Sequence, residues 1–222
     1  MEEQILLWIH EQQHPWLDLL FRLSHEFGTG RFCTALVLSC AAWWLWRKRP
    51  REAVLWVVLG LSVFLLQLGL KEAFGRVRPA LWVGPIKHST YAFPSGHALA
   101  AACLYPLLAH AASLRFPGYK RLGYGLAIAF ASYVGLGRLY LGVHWPTDVL
   151  AGWSIGAVLL WLGVRFIARP ASTLQPDVAL LQPDVAPLQP DAAPLQPDGS
   201  LAAATPESDR GEAPHGGSDN PT

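Results

Sequence analysis

The sequence predicts an all-α integral membrane helical bundle of about five spans, with an N-terminal interfacial helix before it and a disordered C-terminal tail after it. Three observations predict this. Long apolar blocks fill residues 31–168, short basic loops punctuate them, and the composition changes abruptly at Pro170. Of the 222 residues, 52% are hydrophobic and only 15% charged, and ten are tryptophans. The formal net charge of +1 hides an asymmetry: residues 1–169 hold sixteen Lys/Arg against eight Asp/Glu, and residues 170–222 hold one against eight. A basic body with an acidic appendage fits a membrane domain over 1–169 and a separate polar segment over 170–222.

Residues 3–24 form an amphipathic opening. Ile5, Leu6, Trp8 and Ile9, then Trp16, Leu17, Leu19 and Leu20, are separated by the polar break Glu11–Pro15. Such a break disfavours a full crossing and favours a helix lying in the membrane interface, with a helical hairpin packed on the bundle as the alternative. The start, Met-Glu-Glu, is acidic where a secretory signal begins with basic residues, so no signal peptide is expected.

Spans are predicted at 30–46, 53–74, 97–114, 122–141 and 147–168, each near the ~20 residues that a ~30 Å hydrocarbon core requires. Trp43, Trp44 and Trp46 suit an aromatic belt at the end of the first. Arg47, Lys48, Arg49, Arg51, Arg115, Lys120, Arg121, Arg165 and Arg169 then fall on one side, which the positive-inside rule makes cytoplasmic. Lys71, Arg76, Arg78, Lys87 and Arg138 fall on the other side, against the rule. Cations that serve a bound anion rather than topology explain the exception, and the site they form is expected to face outward.

The tail repeats Leu-Gln-Pro-Asp at 174–177, 181–184, 188–191 and 195–198. A proline in every copy forbids a continuous helix, and so little apolar surface cannot offset the entropy of ordering. Cys33, Cys40 and Cys103 lie in apolar stretches without paired spacing and read as small hydrophobes in helix packing.

Three polar segments carry the chemistry: Lys71 to Arg78-Pro79, Pro94-Ser95-Gly96-His97, and Arg138 to His144 and Asp148. Charged side chains at membrane depth are costly, so their recurrence at helix ends demands a function. Ser95 and Gly96 precede a predicted helix start, where unpaired N–H groups and the helix dipole suit an anion. Ser95 could equally serve as a plain helix cap. Lys71, Arg78 and Arg138 supply a point charge and planar donor forks that match phosphate, whereas Arg76 is expected to snorkel to the interface. His144 and Asp148 are four residues apart, a spacing that lets the carboxylate fix the imidazole tautomer and raise its basicity. His10, His14, His25, His88, His110 and His215 have no such company and read as interface, packing or tail residues, with His110 bonded to a neighbouring helix. No group with zinc or magnesium spacing is present, and no Walker-type loop.

Together these segments resemble the membrane-bound type 2 phosphatidic acid phosphatases, a family related to vanadium haloperoxidases. The family pattern, Lys-x6-Arg-Pro, Pro-Ser-Gly-His and Ser-Arg-x5-His-x3-Asp, is matched in spacing throughout, over roughly residues 5–168. One departure is Gly137, which stands where the family usually has serine. The resemblance implies that His144 attacks phosphorus to form a phosphohistidine and that Asp148 orients it. It further implies that His97 protonates the leaving oxygen and then activates water, and that Lys71, Arg78, Ser95, Gly96 and Arg138 hold the phosphoryl oxygens. No metal or cofactor is expected. The implied activity is that of a bacterial lipid phosphatase in the cytoplasmic membrane, acting on undecaprenyl pyrophosphate, phosphatidylglycerol phosphate or phosphatidic acid, with a slight lean to the first. The implied partners are the membrane and that lipid, with no nucleic acid. A lipid phosphotransferase would share the site, as would a vanadate-dependent haloperoxidase. The spans argue against the latter, whose members are typically soluble, and the presence of both His97 and His144 argues against a non-catalytic carrier.

Overall fold

The structure is a computed structural model that describes residues 1–82 and 90–166. Its elements are α1 (Glu2–Glu11), α2 (Pro15–Phe27), α3 (Gly30–Trp46), α4 (Pro50–Phe74), α5 (Gly96–Arg115), a 3₁₀ turn at Pro117–Tyr119, α6 (Lys120–Tyr140) and α7 (Pro146–Phe166). Among the described residues four segments are long and apolar enough to cross a membrane: Pro50–Phe74, Gly96–Arg115, Pro117–Tyr140 and Pro146–Arg165. Helix α3 coincides with the expected span 30–46, but its 17 residues rise only about 25 Å at 1.5 Å per residue. The predicted tail, Arg169, Lys87 and His88 lie outside the described residues.

Local chemistry fixes the helix ends. Proline occupies the first position of α2, α4 and α7, where its missing N–H costs nothing. Thr29 caps α3 by accepting from the Phe32 N–H at 3.3 Å. Gly75, at φ 53°, closes α4 in the left-handed conformation that glycine adopts without strain. The alternation of long helices and short connections puts the ends of α4 and α6 and the starts of α5 and α7 at one end of the bundle. The Arg47–Arg51 and Arg115–Arg121 loops lie at the other.

Helix α5 is the axis, buried along most of its length and packed on α4, α6 and α7. Its contact with α7 depends on glycine: a Cβ at Gly152 would lie 2.7 Å from the Ser95 carbonyl oxygen, and one at Gly156 2.5 Å from that of Leu99. Small residues at this spacing let two membrane helices approach backbone to backbone. The apolar core, Val37, Leu55, Trp56, Leu59, Leu99 and Leu104 among others, fills the space between α3, α4 and α5. Cys103 packs within it, and Cys33 and Cys40 pack against it, all three as free thiols.

The amphipathic opening is two helices, with the polar break as their turn. Leu6 of α1 is fully buried against Ala98, Leu139 and Val149, while Trp8, Trp16, Leu19 and Leu23 remain exposed. The pair thus packs on the bundle and still presents an apolar face outward, combining the two readings the sequence allows.

Gly156→Val should force α7 away from α5. Overpacking of this kind costs about 1–3 kcal/mol, so the thermal midpoint of the purified protein should fall. An unchanged midpoint would show that this contact is not tight.

Candidate active site

Asp148 is where the site is assembled. It sits in the first turn of α7 with no exposed surface, and each of its oxygens has a partner. Oδ1 accepts from the Arg76 guanidinium at 2.7 Å, and Oδ2 accepts from the Trp145 N–H at 2.8 Å. Oδ2 also lies 3.5 Å from His144 Nδ1. Its backbone carbonyl accepts from the Ser95 N–H at 3.0 Å, which ties the start of α7 to the start of α5.

His144 is brought to Asp148 by the turn after α6. Gly142 makes that turn at φ 65°, and a Cβ there would collide with the Trp82 ring, so space and backbone both require glycine. The Val143 N–H returns to the Arg138 carbonyl at 3.1 Å. On the far side of the imidazole, Nε2 lies 3.2 Å from an Arg78 nitrogen that can only donate. Nε2 therefore holds a lone pair and Nδ1 the proton, the tautomer a nucleophile needs. Burial is the main cause that pushes the His144 pKa down to about 4; the Asp148 hydrogen bond opposes it, and the charges of Arg78 and Arg138 reinforce it.

The cations converge from three elements. Arg78 donates to the carbonyls of Thr90, Val143 and Tyr91 at 2.7, 2.6 and 3.2 Å, which fixes its fork between the 79–95 connection and the His144 turn. Lys71, in the last turn of α4, donates to Thr90 Oγ1 at 3.2 Å. Arg138 is fully buried in the last turn of α6, and its Nε and Nη2 have no partner among the described residues. A buried charge with idle donors is costly and is retained where a ligand uses it. Ser95 stands at the N-terminal boundary of α5, but its side chain makes no capping bond, and its buried hydroxyl has no partner among the described residues. The plain capping role is therefore not the one observed.

His97, Ser95's neighbour but one, lines a cavity of about 570 Å³ with His144, Lys71, Arg78 and Gly96. The same cavity continues between α3, α4 and α5 along Val37, Leu61, Phe64 and Leu104. A polar mouth over an apolar shaft suits an amphiphile whose head is an anion. Among the described residues no three His, Cys, Asp or Glu side chains gather as a metal would need.

Two expectations are corrected. Arg76 does not snorkel: besides Asp148, it donates to Thr147 Oγ1 and Glu2 Oε2, both at 2.6 Å. Glu2 also accepts from the Thr147 N–H at 3.0 Å, so a carboxylate from the chain's second residue caps α7. Nor is His25 an isolated packing residue. Its ring stacks on His97 at 4.9 Å between centroids, and its Nδ1 is 2.8 Å from Arg138 Nη1. Thr90, bonded to both Lys71 and Arg78, was also missed. Arg76 sits in the same segment as Arg78 and was within reach of the sequence reading; Glu2 and His25 carry no local signal. His110 bonds Tyr124 of α6 at 3.1 Å, as expected. The space a Cβ at Gly137 would take is occupied by the Oγ of Ser24 on α2, which donates to the Phe21 carbonyl at 2.7 Å.

The profile of the PAP2 superfamily matches residues 51–171, just over half of the chain. The chain is 34% identical over 154 residues to phosphatidylglycerophosphatase B of Bacillus subtilis, covering 68% of this chain and 75% of that protein. It is 34% identical over 125 residues to undecaprenyl-diphosphatase of Sulfolobus acidocaldarius, covering 53% and 57% respectively. The crystal structure of a transmembrane PAP2-type phosphatidylglycerolphosphate phosphatase from Bacillus subtilis superposes with a TM-score of 0.69 at 34% identity, over 74% of this chain and 83% of that one. Aquifex aeolicus LpxE shares the fold at a TM-score of 0.60 and 24% identity, over 73% and 94%.

Arg76→Ala should damage catalysis through Asp148. Removing the guanidinium leaves a fully buried carboxylate without its charged partner, a far costlier loss than breaking a surface ion pair. Wild-type kcat/KM should persist well below pH 6.5, since His144 stays neutral down to about 4. In the variant kcat near neutrality should fall about tenfold to a hundredfold, as loss of a charged hydrogen bond predicts. An unchanged kcat would separate Arg76 from the work of Asp148.

Proposed function

The chain belongs to the PAP2 superfamily and is an integral membrane lipid phosphatase; on that premise we propose that it cleaves the terminal phosphate of a lipid through a phosphohistidine at His144. The observation that carries this reading is the junction of two unlike surfaces in one cavity: His97, His144, Lys71 and Arg78 at its mouth and apolar side chains along its shaft. The head group sits among the cations, and the tail lies between α3, α4 and α5.

In the first step the Nε2 lone pair of His144 attacks phosphorus as the bond to the lipid oxygen breaks. His97 gives its proton to that oxygen, releasing a lipid alcohol, or a lipid monophosphate where the substrate is a diphosphate. Asp148 stabilises the positive charge that develops on His144 through Nδ1–H. In the second step His97, now neutral, takes a proton from water. The water oxygen attacks phosphorus, the N–P bond breaks back onto Nε2, and phosphate leaves. Lys71, Arg78, Arg138 and Ser95 hold the oxygens of the transferring group, which needs little beyond positioning and charge stabilisation.

Kinship to phosphatidylglycerophosphatase B over 68% of the chain supports a glycerol-based phosphomonoester as substrate. The relative named undecaprenyl-diphosphatase supports a polyprenyl diphosphate as the second reading. The basic loops at the opposite end of the bundle support a site on the outward face of a bacterial cytoplasmic membrane.

Purified protein in detergent with EDTA should release phosphate from at least one of phosphatidylglycerol phosphate, undecaprenyl pyrophosphate and phosphatidic acid, and the ranking of rates names the lipid. His144→Ala should fold and release none. Lys71→Ala should lose about 10²–10³ in kcat, the scale of one removed charge-stabilising donor, with little change in thermal midpoint. A folded wild type that releases nothing from any of the three, but passes phosphate to an added alcohol, would replace hydrolysis with transfer.

A further inference from the structure

We infer that His25, at the end of α2, is a positioning residue that aims the Arg138 guanidinium at the phosphate while leaving its charge unspent. The inference rests on the proposed reading of Arg138 as a phosphate ligand, and it concerns a residue outside all three polar segments. The geometry is specific. Arg138 Nη1 lies 2.8 Å from His25 Nδ1, whereas Nε and Nη2 have no partner among the described residues. A guanidinium only donates, so His25 Nδ1 accepts and its ring is neutral with the proton on Nε2. Burial, with the Arg138 charge beside it, pushes the His25 pKa below its ordinary value despite Glu26 on the same helix, so the neutral form holds.

The choice of a neutral acceptor decides the function. A carboxylate at this position would orient Arg138 as well, but it would form an ion pair and cancel the charge that an anionic substrate must find. An imidazole nitrogen fixes the fork and leaves the full positive charge available to the two idle donors. The rest of the last turn of α2 serves the same end. The His25 ring lies nearly parallel to that of His97, 16° between planes, and a Cβ at Gly28 would run into the His97 ring from below. Ser24, fully buried one residue earlier, fills the space beside Gly137. One turn of an interfacial helix thus seats two groups of the site: the cation on α6 and the proton donor on α5.

The test compares His25→Asn, His25→Phe and His25→Asp in the full-length protein, reading inhibition by inorganic orthovanadate alongside kcat and KM for a short-chain lipid phosphate. Asparagine keeps an uncharged acceptor near the Nδ1 position; phenylalanine keeps the stacked ring and removes the acceptor; aspartate keeps an acceptor and adds a charge. His25→Asn should hold vanadate affinity within about threefold, while His25→Phe should lose about tenfold, the size of one hydrogen bond to a charged group. His25→Asp should lose at least as much as His25→Phe although it is isosteric with His25→Asn. Wild-type vanadate affinity in His25→Phe and His25→Asp overturns the inference. So does an equal loss in all three variants with a matching fall in thermal midpoint, which marks a purely structural residue. If His25→Phe does not fold, the Asn and Asp pair still decides. If the wild type binds vanadate but hydrolyses no lipid, vanadate-induced thermal stabilisation of the same variants tests the role of His25 separately from the proposed reaction.

Discussion

The ionised state of Asp148 is the condition on which the site depends. A carboxylate with no exposed surface survives only where its charge is matched and its lone pairs are used. Arg76 matches the charge, the Trp145 N–H uses Oδ2, and His144 receives what remains. The carbonyl of the same residue holds the Ser95 N–H, so the His144 turn and the helix start that carries His97 share one anchor. Glu2 pairs with the same guanidinium, so the half-buried Arg76 bridges one partly exposed carboxylate and one fully buried carboxylate. From Glu2 to Arg76 to Asp148 to His144, charges alternate in sign or sign tendency, and the last member is the atom proposed to attack.

Bringing that anchor together needs helices closer than ordinary side chains permit. Gly152 and Gly156 on α7 face the carbonyls of Ser95 and Leu99 on α5. A larger residue on either would move the start of α7, and Asp148 with it, relative to Ser95. The packing that positions the site is therefore made of missing side chains, at the depth where lipid offers no hydrophobic drive for helix association.

Much of this was legible in the sequence because membrane helices write themselves in long apolar runs: the observed ends of α3 to α7 lie within three residues of the expected spans. The three polar segments were legible because each lies at a helix end and is contiguous. Arg76 was misread because snorkelling is the ordinary fate of an arginine beside a span, and nothing local distinguishes a buried carboxylate seventy-two positions away in the chain. Glu2 and His25 were illegible for the same reason in stronger form: an acid in an opening turn and a histidine on an amphipathic helix have bland explanations that are usually right. Only the folding of α1 and α2 onto the site end of the bundle gives them partners.

That folding changes what the N-terminal helices are for. An interfacial helix needs only an apolar face to reside at the membrane surface, and Trp8, Trp16 and Leu19 supply it. It does not need a buried serine, a histidine stacked on another helix's histidine, or a glycine lying against that same ring. α2 has all three within its last turn and cap, at Ser24, His25 and Gly28, and each meets a residue of the site or its immediate neighbour. The opening of the chain thus packs directly against residues of the candidate site. In the role proposed for it, one nitrogen of His25, held on α2, fixes where the remaining donors of the buried Arg138 point.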